Sequence, residues 1–371
     1  MDSFAFIIHP IDAKRDVSRK FPLLGKLLTA RQIDFFSTFF PPVYISEITG
    51  LRSAATGNEV RGWFVACPYT PARMLELPEK TVYSKIVQTG RLAERLGARI
   101  LGLGAFTSVV GDAGITISQH LSIPVTTGDS YTVAVAVEAV RTAAGQLGLS
   151  MRDTAAAVVG ATGAIGAVAA ELIAAEVPKL WLVGRRSPAL ESLREQIMSR
   201  TAAQVEIATD LAPLAEAGLI LTVTSSLEAV IEPRHLRPGA VVCDVARPRD
   251  VSTLVAAARD DVLVIDGGMV QVPLPGAQFN FDFGFPPDRV YACMAETMVL
   301  AMDGRYESYT LGRAITVEQV RHMAELATKH GFKLGGFRSF EREVTPAHLA
   351  RVAERARARQ RAGRPAVGAR A

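Results

Sequence analysis

Three glycines with the spacing G-x-x-G-x-x-G follow the apolar run at 155–159, and their spacing suits the binding of a dinucleotide. The first glycine allows a tight turn from strand to helix, the second lets backbone N–H groups approach a pyrophosphate, and the third lets the helix pack closely on the strand. Small apolar residues continue at helical spacing, and a second apolar run at 180–183 completes a βαβ unit of about 30 residues. We predict contacts with the dinucleotide from Gly160, Thr162, Gly163, Ala164, Ile165 and Gly166.

The end of the second strand of that unit indicates which dinucleotide is bound. An NAD site usually carries Asp or Glu there, whereas this chain has Gly184, Arg185 and Arg186. Guanidinium groups hold a 2′-phosphate through charge-assisted hydrogen bonds, while a carboxylate would repel it. The pattern predicts NADP(H); the alternative is that both arginines only solvate a loop. A hydroxyl cluster after a later strand is predicted to line the nicotinamide ribose: Thr224, Ser225 and Ser226.

Cys293, in the segment YACMAETM, is the candidate nucleophile. It lies near the second turn of a helix predicted from about Asp288 to Met302, and the helix dipole stabilises a thiolate there. The aromatic segment before it, which includes Phe283, would suit a chain-like substrate. A free cysteine in such a helix is otherwise a small hydrophobic core residue. Because no histidine is adjacent, the base stays open among His120, His235 and His330, and the other cysteines, Cys67 and Cys243, are predicted to be core residues.

Two further clusters of glycine and hydroxyl residues could contact a substrate. One follows the strand predicted at 100–103, and the other precedes the apolar helix predicted at 133–147, where Asp129 or Ser130 could cap the helix. Ligand contacts in α/β folds commonly lie at such strand ends, although structural turns use the same residue types. The predicted substrate contacts are Gly104, Phe106, Thr107, Ser108, Thr127, Gly128, Asp129 and Phe283.

The elements that must hold these residues predict an α/β fold. Strands at 205–208, 219–224, 240–245 and 262–266 alternate with helices, which favours a doubly wound parallel sheet of Rossmann type. At 371 residues the chain is long enough for two domains. We predict a substrate domain at 1–150, an NADP-binding domain at 151–285, helices that return to the cleft and complete the active site at 286–340, and a basic, flexible tail at 341–371.

The composition of the chain indicates its cellular compartment and the kinds of partner to expect. The net charge of +4 comes from the tail, where eight arginines outnumber three glutamates, so the rest of the chain is nearly neutral. An Arg/Ala-rich tail could contact nucleic acid or anionic lipid, but a solvated, partly helical appendage is the favoured interpretation, so we expect no nucleic-acid partner. Three scattered cysteines favour a reducing cytoplasm and argue against disulfides or a metal site. The uncharged run at 154–170 is interrupted by three glycines, so a buried strand and helix are predicted there rather than a transmembrane segment.

Several segments together resemble the long-chain acyl-[acyl-carrier-protein] reductases best known from cyanobacteria, which make fatty aldehydes. The resemblance covers most of residues 1–340 and rests on segments that recur in the same order in both domains. These are FAFIIHPIDAKRDVSRK, LGLGAFTS, TTGDSYT, AVVGATGAIG, GFPPDRVYACMAETM, LGRAITVEQV and KHGFKL. This chain departs from the family at Asp129, where Asn is common, at Gly104-Ala105, where Gly-Gly is common, and at 244–248, which are usually glycine-rich.

The resemblance implies NADPH-dependent reduction of a fatty acyl thioester to an aldehyde, with the acyl group carried on Cys293 in an acyl-binding domain. It also implies an acyl carrier protein or coenzyme A donor, and an enzyme that consumes aldehyde is a further candidate partner. Two alternatives remain. One is a shikimate- or amino-acid-type NADP dehydrogenase. Such enzymes normally have a Lys/Asp pair in the substrate domain, and Lys80 and Lys85 have no obvious aspartate partner in the sequence. The other is a non-catalytic NADP sensor. A basic set could dock the carrier or be a solvated helix face: Lys14, Arg15, Arg19, Lys20 and Lys26.

Overall fold

The computed structural model describes residues 2–362 and divides into two compact units. The first unit contains the chain up to Val135 together with Gly268–Gly335. The second contains Ala136–Gly267 and the chain from Gly336 onward. The functional labels that the sequence suggests for these spans stay predictions.

The first unit is built on a five-stranded sheet with the order β2-β3-β1-β4-β5. All neighbouring strands run parallel except β2, which is antiparallel to β3. Apolar residues on both faces of this sheet form two core clusters. The elements are β1 (Ser3–Ile8), α1 (Ala13–Lys20), α2 (Pro22–Leu27), α3 (Ala30–Ser37), β2 (Val43–Arg52), β3 (Glu59–Ala66), α4 (Pro71–Glu76), α5 (Glu79–Leu96), β4 (Leu101–Leu103), α6 (Phe106–Val109), α7 (Ile115–Gln119), β5 (Val125–Thr126) and α8 (Asp129–Gln146), whose last turns belong to the second unit.

The second unit contains a six-stranded parallel sheet with the order β11-β10-β9-β6-β7-β8. This is the strand order of the Rossmann fold, and the direction of winding changes between β6 and β9. The doubly wound sheet predicted from the sequence is therefore confirmed. Its elements are β6 (Ala156–Val159), α9 (Ala164–Ala174), β7 (Lys179–Val183), α10 (Ser187–Met198), β8 (Gln204–Ala208), β9 (Leu219–Thr222), β10 (Val241–Asp244), α11 (Thr253–Ala258) and β11 (Leu263–Asp266), with short 3-10 turns at Met151–Asp153, Ala212–Ala215 and Pro233–His235.

The chain then returns to the first unit and supplies its central helix. The elements are β12 (Met269–Gln271), β13 (Arg289–Tyr291), α12 (Ala292–Met302), α13 (Val317–His330) and β14 (Lys333–Leu334). Helix α12 packs against β1, β3 and β4, and all of its residues except Cys293 are buried. The predicted start near Asp288 is wrong, because Asp288 has a φ of +60° and the next three residues pair with β12. Cys293 is therefore the second residue of the helix.

The C-terminal segment, predicted as a flexible tail, is ordered over its described part. It forms a small hairpin, β15 (Arg338–Ser339) and β16 (Arg342–Glu343), followed by α14 (Pro346–Ala362). Val352 and Ala356 are buried one helical turn apart, and Arg359 Nη1 lies 3.0 Å from Asp261 Oδ1. These contacts hold the helix to the second unit; residues 363–371 of the predicted tail lie outside the described residues. No helix within 2–362 is long and apolar enough to cross a membrane.

Candidate active site

The first turn of α12 presents Cys293. The N–H of Ala292 donates to the carbonyl oxygen of Gly268 over 2.7 Å, which anchors the helix start to the loop before β12. Cys293 itself is half-buried, and backbone N–H groups of Met294 and Ala105 lie close enough to its sulfur to favour the thiolate. The other two cysteines are fully buried, and burial raises the pKa of Cys67 to about 11 and that of Cys243 further.

The segment that precedes α8 passes directly against the cysteine. Gly128 has a φ of +80°, and a Cβ placed on it would lie 2.4 Å from both Cα and Cβ of Cys293. Only glycine therefore fits at this point. The structure brings Thr127, Gly128 and Asp129, three of the predicted substrate contacts, together with the predicted nucleophile.

Two buried carboxyl groups accompany Cys293. Glu296, one turn further along α12, is fully buried and accepts hydrogen bonds from Thr126 Oγ1 (2.5 Å), the N–H of Tyr131 (2.8 Å) and Thr310 Oγ1 (2.8 Å). Asp129 begins α8 and is only 6% exposed. Sequence reasoning missed Glu296, although a single acidic residue in the otherwise uncharged stretch ACMAETMVLAM was an available signal.

Burial and mutual repulsion shift the pKa values of this group upward. Burial, and then the charge of Glu296, raise the pKa of Asp129 to about 7; the Thr127 hydroxyl, which lies outside ideal hydrogen-bond geometry, lowers it slightly. Burial also raises the pKa of Glu296. Burial, followed by the charge of Asp129, raises the pKa of Cys293 to about 12. The resting cysteine is therefore a neutral thiol, which differs from the thiolate that the helix dipole alone would favour.

The turn after β4 is held by its own hydroxyl groups. Thr107 Oγ1 donates to the carbonyl oxygen of Gly104, and Ser108 Oγ to that of Ala105, each over 2.7 Å. Ala105 has a φ of +46°, a conformation that favours glycine. Phe106 is buried, and its N–H donates to Nε2 of His9 over 2.9 Å. Three of the predicted substrate contacts, Phe106, Thr107 and Ser108, thus serve the shape of this turn.

His9 and the three candidate bases have structural partners. Burial lowers the pKa of His9 to about 4, so its ring is neutral, with Nε2 accepting from Phe106. His120 Nδ1 bonds the carbonyl oxygen of Thr116, and His235 Nδ1 accepts from the N–H of Glu232. His330 bonds Ser53 and Asp303. His9 was not identified from the sequence as a residue of this region, although it directly follows the buried strand β1.

Phe283 belongs to an aromatic cluster that shares a core with Cys293. Its ring centroid lies 5.3 Å from that of Phe64, 5.4 Å from Phe279 and 5.6 Å from Phe285. Phe283 and Cys293 both pack, partly buried, against the same hydrophobic core of the first unit. This arrangement provides apolar surface of the kind that was predicted for a chain-like substrate.

The glycine turn after β6 has the geometry of a dinucleotide site. Gly160 has a φ of +81°, and a Cβ there would lie 2.6 Å from the carbonyl oxygen of Val223. A Cβ on Gly166 would lie 2.3 Å from the carbonyl oxygen of Gly160, so the helix lies too close for any side chain. Gly163 caps α9 without a side-chain hydrogen bond, which leaves the first N–H groups of α9, near Thr162, Ala164 and Ile165, available for an anion.

The residues predicted to select and orient the cofactor lie at the same strand ends. Arg185 and Arg186 are exposed after β7, and Arg186 Nη2 lies 3.4 Å from Thr162 Oγ1. Thr224 donates through both its N–H (2.8 Å) and its Oγ1 (2.5 Å) to the buried carboxylate of Asp250. Ser226 Oγ donates to the carbonyl oxygen of Glu228, whereas Ser225 is exposed. Thr224 and Ser226 therefore shape this loop. No cluster of potential metal ligands occurs within residues 2–362.

Known proteins similar to this chain include one family model and two relatives that match over most of its length. The family model for shikimate / quinate 5-dehydrogenase matches residues 141–266. Aminotransferase PigE of a Serratia species is 32% identical over 346 residues, which span 89% of this chain and 39% of PigE. The long-chain acyl-[acyl-carrier-protein] reductase of Synechococcus elongatus is 28% identical over 352 residues, which span 89% of this chain and 98% of the reductase.

The solved structures that match this chain have low sequence identity and low TM-scores. L-tryptophan dehydrogenase from Nostoc punctiforme is 13% identical, with a TM-score of 0.39, over 96% of this chain and 88% of that one. The nucleotide-binding domain of glutamyl-tRNA reductase from Thermoplasma volcanium is 20% identical, with a TM-score of 0.26, over 36% and 84%. The glycine turn, the strand order and the family match agree. The chain is an NADP(H)-binding protein with a Rossmann fold of the oxidoreductase type, distantly homologous to a cyanobacterial acyl-[acyl-carrier-protein] reductase over most of its length.

Proposed function

We propose that this protein reduces a long-chain fatty acyl thioester to the fatty aldehyde with NADPH, through an acyl group carried on Cys293. The observation that carries the proposal is the set of groups around Cys293: two backbone N–H groups near the sulfur and the buried carboxyl of Asp129 beside it. The relative that is named as such a reductase supports it, because the match extends over 98% of that protein.

Acyl transfer begins from a neutral thiol, so it needs a proton acceptor. Asp129, with a pKa of about 7, is half ionised at neutral pH, which suits a general base. In our proposal the carboxylate of Asp129 takes the thiol proton as the sulfur attacks the thioester carbonyl carbon. The bond from that carbon to the donor sulfur then breaks, and the donor leaves as a thiol with the proton that Asp129 held. The N–H groups of Ala105 and Met294 stabilise the charge that develops on Cys293.

Reduction requires the second unit. NADPH, when bound, supplies the hydride that reduces the acyl carbon. Gly160, Gly163 and Gly166 would hold its pyrophosphate, and Arg185 and Arg186 its 2′-phosphate. Breakage of the bond between the reduced carbon and the sulfur of Cys293 then releases the aldehyde, and the sulfur regains a proton from solvent. The aromatic cluster around Phe283 would hold the acyl chain. The donor would be an acyl carrier protein or coenzyme A, and the product an aldehyde for a further enzyme.

The experiment is to trap the acyl group. The protein is incubated with a long-chain acyl thioester without NADPH, and its intact mass and peptides are measured. We expect one acyl group on Cys293 that disappears with aldehyde formation when NADPH is added. Cys293→Ser should prevent both the adduct and the aldehyde, because a serine hydroxyl without a strong base is a much weaker nucleophile.

Cys67→Ala is the matched control. Cys67 is fully buried, so this variant loses core packing but should keep the adduct and the activity. Turnover in Cys293→Ser beyond a few per cent would refute the nucleophile assignment. Absence of any adduct in the unmodified protein, together with turnover of another NADP substrate, would refute the proposed reaction.

A shikimate-type dehydrogenase is the second candidate, favoured by the family match at 141–266. Such enzymes normally use a Lys/Asp pair in the substrate domain. Here Lys85 Nζ donates over 2.8 Å to the carbonyl oxygen of Phe40, and burial lowers its pKa. Lys85 thus donates to a backbone carbonyl oxygen rather than to an aspartate. This supports thioester reduction over a shikimate-type dehydrogenase activity. Measuring NADP reduction with shikimate or quinate separates the two, and absence of turnover with every substrate class would favour the non-catalytic sensor.

A further inference from the structure

Large apolar side chains are exposed in one short region of the first unit. Among residues 2–362, fourteen large hydrophobic side chains are exposed, and seven of them fall between residues 21 and 44. We call these seven the apolar helical surface. They are carried by α2, α3, the segments that flank these helices, and the start of β2. The seven are Phe21, Leu23, Leu27, Phe35, Phe36, Phe39 and Tyr44.

These side chains protrude from an ordered scaffold. A Cβ on Gly25 would lie 1.7 Å from Ser18 Oγ. The backbone of α2 therefore packs directly against the Ser18 side chain of α1. Thr29 forms a reciprocal capping box with Gln32, and Ile33 of α3 is buried. The fixed helices still leave Leu27 78%, Phe39 73% and Leu23 70% exposed. Exposed groups of large apolar side chains commonly mark a binding surface in soluble proteins.

Exposed apolar side chains cluster on α2 and at the C-terminal end of α3. Leu23 and Leu27 are four residues apart on α2, which sets them one above the other. The ring of Phe35 lies 5.4 Å from Phe36 and 6.1 Å from Phe39, centroid to centroid, so the three rings form one cluster. Each of these two places therefore presents a group of exposed apolar side chains.

Positive charge surrounds these faces. Six basic and three acidic residues lie between residues 12 and 34. Arg15 and Arg19 lie near Asp16, at 3.1 and 4.0 Å, and Lys20 Nζ donates to the carbonyl oxygen of Ile45. The remaining three, Lys14, Lys26 and Arg31, have exposed side chains.

This combination favours an anionic lipid surface over an acidic protein. A carrier protein would be recognised chiefly through ion pairs, yet three of the five basic residues predicted for that role already have partners in this unit. Exposed Phe and Leu flanked by Lys and Arg is the composition of helices that lie in a membrane interface. Apolar side chains enter the headgroup region there, and each nearby cation adds attraction to anionic lipids.

We propose that the apolar helical surface binds the face of an anionic membrane, with Leu23, Leu27 and Phe39 inserted among the headgroups and Lys14, Lys26 and Arg31 against lipid phosphates. The protein docks on the bilayer without spanning it. This binding depends only on α1–α3 and the segments beside them, and it stands whether or not the proposed reaction is correct.

The test is flotation of the full chain with vesicles of phosphatidylcholine, with and without phosphatidylserine. We expect binding to the anionic vesicles that weakens at high salt. The double variant Leu23→Ser/Leu27→Ser should bind at least about tenfold more weakly, because two leucines no longer enter the interface. The matched control is Leu254→Ser/Leu274→Ser, which removes two leucines of similar exposure (61% and 64%) elsewhere and should bind like the unmodified chain.

A second variant, Lys26→Glu/Arg31→Glu, keeps the apolar side chains and should lose binding to anionic vesicles at low salt. Equal loss in both leucine variants, or no vesicle binding by the unmodified chain, overturns the proposal. Capture of acyl carrier protein without vesicle binding, abolished by Leu23→Ser/Leu27→Ser, would assign the surface to a protein. A dimer in sedimentation that this variant dissociates, again without vesicle binding, would assign it to a second copy of the chain.

Discussion

Asp129→Asn should stabilise the protein at alkaline pH and slow it as a catalyst. The pKa of Asp129 rises from its usual 3.8 to about 7 in the folded chain. Between those values the folded protein holds a proton that the unfolded chain has lost, so stability falls as pH rises. Each pKa unit corresponds to 1.36 kcal/mol, which gives a fall of up to about 4 kcal/mol between pH 4 and pH 8. An asparagine has no such charge to bury.

The free energies of unfolding of the two proteins should therefore diverge with pH. We expect Asp129→Asn to gain up to about 4 kcal/mol relative to the unmodified protein from pH 4 to pH 8, measured by urea denaturation at several pH values. Groups that do not interact with Asp129 cancel in this difference. A pH-independent difference would show that Asp129 is ionised normally and would refute the argument from burial.

The same substitution should slow acyl transfer to Cys293. Loss of a general base costs about 10²- to 10⁴-fold in rate. The unmodified protein should acylate faster as pH rises through about 7, because the carboxylate must be ionised to accept the thiol proton. This inflection should be absent from Asp129→Asn in rapid-quench measurements of the acyl adduct. If Asp129→Asn acylates at the rate of the unmodified protein and with the same pH profile, Asp129 is not the base.

Three further outcomes are expected. Replacing Arg185 with Asp and Arg186 with Ser should weaken NADPH binding by about 2–4 kcal/mol and leave NADH binding nearly unchanged in fluorescence titrations; equal losses would make the arginines structural. Ala105→Gly should raise the unfolding free energy by about 1 kcal/mol, because it relieves a left-handed backbone, and an unchanged value would show no strain there. Burial alone would raise the pKa of Asp303, but hydrogen bonds from Lys329, Arg305 and His330 outweigh it and lower the pKa. Asp303→Asn should therefore destabilise the protein by about 1–3 kcal/mol above pH 4, with the difference shrinking as acid titrates the carboxylate; a constant difference would contradict this.

The second unit could be predicted from the sequence because its signals are local. The turn, the helix and the flanking strands around Gly160 occupy about 30 consecutive residues, and hydrophobic periodicity identifies each element. The spacing of the glycines reflects contacts within that same stretch, such as the approach of Gly166 to the carbonyl oxygen of Gly160. The alternation of strands and helices predicted a doubly wound parallel sheet, while the order of its six strands comes from the structure.

The surroundings of Cys293 could be predicted only in part, because they depend on contacts between distant segments. Glu296 binds Thr126 across 170 positions of sequence, and His9 receives the N–H of Phe106 across 97. Thr107 and Ser108 stay predicted substrate contacts, but their residue types did not reveal that both hydroxyls also donate hydrogen bonds within the turn. The sequence predicted a helix start near Asp288, yet β13 pairs with β12 and the helix begins at Ala292.

The interruption of the first unit by the second has a consequence for synthesis on the ribosome. Residues 136–267 must emerge before Gly268–Gly335 can supply α12, the helix that covers β1, β3 and β4. At roughly 5–20 residues per second, the five-stranded sheet waits about ten seconds with one apolar face uncovered. The nascent chain is therefore open to chaperones and to aggregation during that interval. Cys293 arrives with the segment that closes the core, so its side chain is not present at this sheet before α12 is available to cover it.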